Sequence, residues 1–480
     1  MAAPAKNLSL AAVSLKSASV VPSALFVLPF VDEGLGNATH MFGSQESKVA
    51  AIVDPLRDVD QYLAAAERYG FRIQYAMDTH LHNDFVSGAR ELAAKAGAKV
   101  IASADAGLGY DHTPLRGGES VDLAELSITA IATPGHTPEH VAYAVSQDGR
   151  PSALFSGGAL IVGGAARTDL LGKENSVPLA RQLYHSIHDQ LLKLPDGVSV
   201  FPTHGAGSFC AAPATRERQT TIGRERATNP LVRAASEEEF VRRALEGLPS
   251  YPVYFGSLRP VNQQGPVLLG GVPKLKPLPP MRVRELAAEG VSVLDVRPPP
   301  LFLRSHVPGA YGIWANAPLT TWAGWLIPVG TPLVLVAHGP RDLELAVRQL
   351  IRIGFDELRG FLDGGMAAWE AAGLPVERVP LVAPWDLAPR LKRPDAPIVL
   401  DVRQDDEWAD GHIPGAVHVE NGRLPWDDLP LPKDRPIVVH CHTGNRSTSG
   451  ISVLLRRGYK DVAILDGGYA GWSSHGFPVE

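Results

Sequence analysis

Two short stretches hold residues whose types and spacing could do chemistry. "THLHND", at the close of an apolar run, places His80, His82 and Asp84 at alternate positions. Imidazoles and a carboxylate at such a turn can converge on one cation. "TPGHTPEH" adds His136 and "FPTHGAG" adds His204, again where apolar runs end. The second stretch is "VVHCHTGNRSTSG", in which Cys441 ends an apolar strand and a helix is expected from about Ser447. A short loop containing Gly444 can aim several backbone N–H groups at one point and add the positive end of the helix. Both effects favour a thiolate or persulfide anion, and Arg446 adds a full positive charge. This is the chemistry of a nucleophilic cysteine that carries labile sulfur.

The elements that position these groups follow from the patterning. "VLDVRPPPLFLRSHVPGA" aligns without a gap to "VLDVRQDDEWADGHIPGA", and "LDGGMAAWEAAGLPVE" to "LDGGYAGWSSHGFPVE". The matches keep their order and offset, which indicates two tandem domains. Each copy alternates short apolar runs with helical patterns such as "LELAVRQLIRIG", the mark of a parallel sheet covered by helices. The Pro-rich "GPVLLGGVPKLKPLPP" reads as a linker before them. The N-terminal half mixes strand-like runs (ALFVLPF, KVAAIVD, LSITAIA) with helices, its histidines at strand ends.

Composition bounds the rest. With 480 residues, 45% apolar and 20% charged, the chain has material for several soluble domains. A net charge of −6 without a basic run argues against nucleic-acid binding. No run reaches membrane-spanning length, the mildly apolar N-terminus included. Two cysteines far apart in the chain, Cys210 and Cys441, point to a reducing compartment, and cytoplasm is expected. Cys210 is expected to be a packed thiol.

The motifs carry a resemblance. "LDVR…H-x-PGA", "CHTGNR" and "DGG…W" resemble tandem rhodanese domains. The resemblance implies an active loop in which Cys441 takes up sulfane sulfur, Arg446 assists, and His442, Thr443, Gly444 and Asn445 line the substrate. In the first copy Ala337 stands at the cysteine position, so that copy is expected to be structural. The ordered set "THLHND", "TPGHTPEH", "SGGALIVGGAARTDLLG" and "FPTHGAG" resembles the metallo-β-lactamase fold, and within it the persulfide dioxygenase branch. That branch implies a mononuclear iron held by His80, His136 and a carboxylate, with His82 and Asp84 close by and Arg167 on the thiol substrate. Here the carboxylate position is Gly158, and Phe85 replaces the last His of H-x-H-x-D-H. Neither side chain can ligate, so a second metal is not expected. The remaining set is His80, His82, His136 and Asp84 around one ion, iron favoured and zinc possible, with His204 outside it.

The expected architecture is therefore an α/β multidomain chain. A metallo-β-lactamase αββα sandwich (22–250) and a linker (251–281) precede two rhodanese-like α/β parallel-sheet domains (282–379 and 380–480). The expected activity is oxidation of a thiol persulfide with oxygen to thiol and sulfite in the first domain, and sulfane-sulfur transfer through Cys441. Expected partners are a small thiol persulfide, sulfite or thiosulfate, and further copies of the chain in a homo-oligomer, with neither nucleic acid nor membrane. The competing readings are a sulfurtransferase alone with a degenerate first domain, a metal-dependent thioester hydrolase, and a sulfur-binding scaffold.

Overall fold

The computed structural model describes residues 25–211, 215–316 and 318–480. The mildly apolar N-terminal stretch noted above, and the first residues of the expected 22–250 domain, lie outside these. The chain divides into two compact units, one running to Leu248 and including Leu258–Gly271, the other comprising Pro249–Ser257 and Val272–Glu480.

The first unit is built on two six-stranded sheets. One holds β1 (Leu25–Asp32), β2 (Asn37–Ser44), β3 (Val49–Val53), β4 (Arg72–Met77), β5 (Lys99–Ser103) and β6 (Thr113–Leu115) in sequential order. The other holds β7 (Ser120–Leu123), β8 (Leu126–Ala132), β9 (Val141–Gln147), β10 (Arg150–Gly157), β11 (Ser199–Pro202) and β12 (Thr220–Thr221), in reverse order across the sheet. Their inner faces share one core, where Phe42, Met77 and Ile101 meet Ile128, Tyr143 and Phe155. Alternation within β8, buried at every second residue from Leu126 to Ala130, puts one face inward as strand periodicity requires.

Helices cover the outer faces. The helices α1 (Asp60–Tyr69) and α2 (Ala89–Ala96) lie on the first sheet, each closed by a left-handed glycine, Gly70 and Gly97. On the second sheet, α3 (Lys173–His185), α4 (Ile222–Thr228) and α5 (Glu237–Leu245) bury Leu183, Ile222 and Phe240 against Leu154 and Val200. The expected αββα sandwich is present. A further helix, α6 (Phe255–Gln264), lies within the 251–281 stretch.

The second unit holds two five-stranded parallel sheets with the same order. The first is Pro277–Leu278, Leu358–Leu362, Leu333–Val336, Ser292–Asp295, Tyr311–Gly312; the second is Leu381–Val382, Val462–Leu465, Ile437–His440, Ile398–Asp401, Val417–His418. Even side-chain contacts recur. Asp295 clamps Arg297 as Asp401 clamps Arg403, with N–O distances of 2.6 Å in both. The indole N–H groups of Trp369 and Trp472 donate to Pro375 and Pro478 carbonyls, each at 2.8 Å. Among the described residues no helix is long and apolar enough to cross a membrane.

The copies also touch. Trp426 Nε1 donates to the Trp325 carbonyl at 2.9 Å, and Trp325, 3% exposed, lies against Gly422. A Cβ at Gly422 would sit 2.5 Å from Trp325 Cε2. Overpacking of this kind costs about 1–3 kcal/mol. Gly422→Ala should therefore lower the urea midpoint of the tryptophan-reported transition. An unchanged midpoint would show that Trp325 is free to move aside.

Candidate functional site

The loops at one end of the first unit's sandwich bring five histidines together. His80 and His82 follow β4, His136 and His140 lie between β8 and β9, and His204 follows β11. All five are buried. The ligand atoms of His80, His136 and His204 lie within 4.8 Å of one another.

The hydrogen bonds of each ring decide which nitrogen is a lone pair. His136 Nδ1 lies 2.7 Å from the Arg167 carbonyl, which only accepts, so Nδ1 carries the proton. Asn37 Nδ2 donates to Asp84 at 2.6 Å, which turns its Oδ1 to His204 Nδ1 at 3.0 Å. His204 Nδ1 is therefore also the N–H. The Thr79 hydroxyl gives its proton to Asp54 at 2.8 Å and accepts from His80 Nδ1 at 2.8 Å. All three rings thus present Nε2 lone pairs, and those of His80 and His204 are 3.4 Å apart. Two acceptors at that separation repel unless a proton or cation lies between them. Burial, foremost, holds all three rings neutral, His136 and His204 at about 3 and His80 well below its ordinary value. A converging, neutral three-imidazole set fits a single metal ion.

His82 is oriented differently. Its Nε2 faces Asp54 Oδ1 at 3.2 Å and Asp78 Oδ1 at 3.9 Å. Burial alone would lower its pKa, but the Asp54, Asp78 and Asp84 carboxylates outweigh burial and raise it. Phe85 stacks on its other side, centroids 4.0 Å apart. Of the four expected ligands, the structure brings His80 and His136 together with His204, while His82 turns to Asp54. Ligand atoms of His82 still fall within reach of His80 and Asp54, and of Asp84 with His204. Asp84 is held by Asn37, and burial raises its carboxyl. Arg167 forms a two-bond pair with Asp169, at 2.6 and 2.7 Å, and donates to the Phe209 carbonyl. Cys210 is buried, its thiol pushed well above its ordinary range chiefly by burial.

At Gly158 the space beside the backbone is already taken. A Cβ would lie 2.6 Å from His136 Cδ2 and 2.9 Å from the Ala166 methyl. The His136 ring occupies the space a carboxylate would need. The Gly158 N–H is taken by His140 Nε2 at 3.0 Å, and His140 Nδ1 reaches Thr133 Oγ1.

Sequence reading missed Asp54, Asn37, Glu139 and His140. The last two stand in "TPEH", beside a histidine already singled out. Asp54 closes an apolar run as the histidines do, which was its available signal. Nothing local marks Asn37.

In the second unit Cys441 ends its strand, and the helix Asn445–Arg456 follows. Gly444 N–H donates to Cys441 Sγ at 3.1 Å. Gly444 has φ 113°, a left-handed value open to glycine. Arg446 is held by both Glu407 oxygens, one at 2.7 Å, and also reaches Cys441. Its charge is thus shared. His442, Thr443 and Asn445 are exposed on the rim. Behind the loop, Tyr469 and Ala470 N–H groups hold the Cys441 and His442 carbonyls at 2.8 and 3.0 Å. A trans peptide points N–H opposite to C=O, so the His442 and Thr443 amides turn away from that backing helix. In the first copy Ala337 fills the cysteine position and its helix starts at Pro340.

These features agree with comparisons to known proteins. The metallo-beta-lactamase superfamily model matches residues 45–204, and the rhodanese-like domain model matches 282–372 and 385–475. Human persulfide dioxygenase ETHE1, mitochondrial, is 30% identical over 206 residues, 42% of this chain and 74% of that protein. The chain belongs to the metallo-β-lactamase superfamily. Its second unit carries two rhodanese-like domains. A sulfurtransferase of Allochromatium vinosum is 34% identical over 93 residues, 19% of this chain and 87% of that protein. A crystal structure of a metallo-beta-lactamase from Staphylococcus aureus is similar with a TM-score of 0.63 and 27% identity, covering 71% of this chain and 99% of that one.

Two predictions follow from the rhodanese-like loop. A Cβ at Gly468 would lie 2.5 Å from the Cys441 carbonyl oxygen, whereas the matching Gly365 has 3.7 Å to Ala337. Gly468→Ala should displace the loop and slow iodoacetamide alkylation of Cys441 about tenfold, because the sulfur loses its hydrogen bond from the Gly444 amide. An unchanged alkylation rate would show that the backing helix does not set the loop. His440, just before Cys441, is held by burial at about 4, below the ordinary imidazole value of 6.5. Between those values the unfolded chain binds a proton that the fold does not, so stability falls as pH drops through the window. The loss approaches about 3 kcal/mol at its acid end. His440→Phe should flatten the pH dependence of the denaturant midpoint there, and an identical slope would remove His440 from the account.

Proposed function

We propose that the first unit oxidises a low-molecular-weight thiol persulfide at one metal ion, iron by preference, and that Cys441 carries sulfane sulfur in the second. The observation that carries the metal assignment is the convergence of three Nε2 lone pairs whose Nδ1 positions are all committed elsewhere. The relation to human persulfide dioxygenase supports the reaction class. The balanced change is RSSH + O2 + H2O to RSH + SO3²⁻ + 2 H⁺, the terminal sulfur giving four electrons to oxygen. When bound, iron supplies the one-electron chemistry that reaction with dioxygen needs.

The chain's own residues have separable roles in this reading. His80, His136 and His204 hold the ion, Thr79, Arg167 and Asn37 fix their tautomers, and Asp54 carries the charge of the network. Arg167 is the proposed contact for the thiol, and an incoming anion would share it with Asp169. In the second unit the persulfide on Cys441 would be stabilised by the loop amides and Arg446, with His442, Thr443, Gly444 and Asn445 meeting sulfite, thiosulfate or a thiol. The hydrolase alternative needs a second ion, and Phe85 against His82 disfavours one.

Elemental analysis of protein reconstituted with iron should find about one ion per chain, with oxygen uptake and sulfite formation on glutathione persulfide. His204→Ala should lose most of the metal. A ratio near two would overturn the mononuclear site and favour hydrolysis. Cys441→Ser should bring sulfur transfer from thiosulfate to cyanide to background while leaving oxygen uptake intact. Retained transfer would mean that Cys441 is not the carrier.

A further inference from the structure

Leu258–Gly271 lies in a stretch that reads as linker, yet it packs as part of the first unit and reaches the loops that bear the histidines. Asn262, 2% exposed, makes three hydrogen bonds to a single loop. Its Nδ2 donates to the carbonyls of His82 and Phe85, each at 2.8 Å, and its Oδ1 accepts from Ser87 N–H at 2.9 Å. Every polar group of the amide is used, in the one orientation that suits two acceptors and one donor. Arg259 pairs with Glu139 at 2.7 and 3.0 Å. Glu139 in turn accepts from the Leu81 N–H at 2.9 Å. Glu139 lies between His136 and His140, and Leu81 between His80 and His82. The pair thus ties together two loops that bear proposed ligands.

We propose that Asn262 and Arg259 are positioning residues of the metal centre, supplied from beyond the sandwich. Asn262 fixes the backbone that follows His80, and Arg259, through Glu139, fixes the amide beside it. The proposal rests on the metal reading for its consequence, but its geometry does not depend on a bound ion. It also marks the working limit of the first unit at Gly271.

The test uses the full chain with cobalt(II) as probe. Asn262→Asp keeps size and the acceptor for Ser87 but sets an oxygen against two carbonyls. It should weaken cobalt binding about tenfold and alter the visible ligand-field spectrum. Gln263→Ala removes a neighbouring bond to the Ala106 carbonyl (3.0 Å) and should change neither. If Asn262→Asp does not fold, Arg259→Met, which removes only the outer pair, should weaken cobalt binding severalfold. Wild-type affinity and spectrum in a folded Asn262→Asp or Arg259→Met chain would overturn the proposal, as would an equal effect of Gln263→Ala. If the wild-type chain takes up no metal, the metal reading fails by itself. Hydrogen exchange of the 81–87 amides then decides the positioning claim: faster exchange in Asn262→Asp sustains it, and unchanged exchange overturns it.

Discussion

The Asp54 carboxylate is the constraint on which the first unit's site depends. It accepts from the Thr79 N–H at 2.7 Å, the Thr79 hydroxyl at 2.8 Å, the Thr203 hydroxyl and His82 Nε2. Thr79 precedes His80 and Thr203 precedes His204. One charge at the end of β3 therefore fixes the chain leaving β4 in its own sheet and the chain leaving β11 in the other. Burial would raise this carboxyl, but His82 and the hydroxyl and amide donors overcome it and lower it to about 2. A buried charge with a full set of partners is stable only as a set. Removing one partner leaves an uncompensated charge, a loss of about 3–5 kcal/mol. The backbone contributes too, since Asp54 sits at φ 52°, a left-handed value that costs a non-glycine residue about 1 kcal/mol. That local cost is accepted because it aims both carboxylate oxygens into the knot.

The rhodanese-like half shows how a shared frame can hold or lack a reactive group. Both copies keep the Asp–Arg clamp, the indole-to-carbonyl bond and the paired glycines. These interactions hold the sheet edge and the final helix, and none requires a thiol. Cys441 places a thiol in a loop that the frame has already shaped. In the first copy Ala337 leaves the same frame with nothing to carry sulfur. Its contribution passes through the Trp325–Trp426 contact, and through Arg456 lying 4.1 Å over the Tyr311 ring. Arg456 ends the helix that Asn445 begins, so the copy without a cysteine braces the helix that follows the Cys441 loop.

Much of this was legible in the sequence because the signals are local or repeated. The tandem copies align without gaps, and a strand, a cysteine, a glycine and an arginine in close succession describe a loop almost by themselves. The sandwich was legible through the order of its histidine motifs. The choice between His82 and His204 was not. It depends on which ring nitrogen faces Asp54 and which faces Asn37, and these partners lie 28 and 167 residues away along the chain. Asn262 was illegible for a different reason. It binds backbone carbonyls and an amide, which have no side-chain identity to read, from a segment whose Pro and Gly content signals a linker.

The two departures from the expected metal-binding pattern each meet a histidine ring. With glycine at 158, the His136 ring occupies the space that a side chain there would need, its Nδ1 on the Arg167 carbonyl. With phenylalanine at 85, an apolar face closes over His82 and leaves that imidazole to pair with Asp54. His82 faces Asp54, while His80, His136 and His204 converge as three rings that burial holds neutral. A neutral set compensates less of a divalent ion's charge than one containing a carboxylate. In the proposed site, Asp54 supplies that negative charge nearby, held low by its pairing with His82 and its hydroxyl and amide donors.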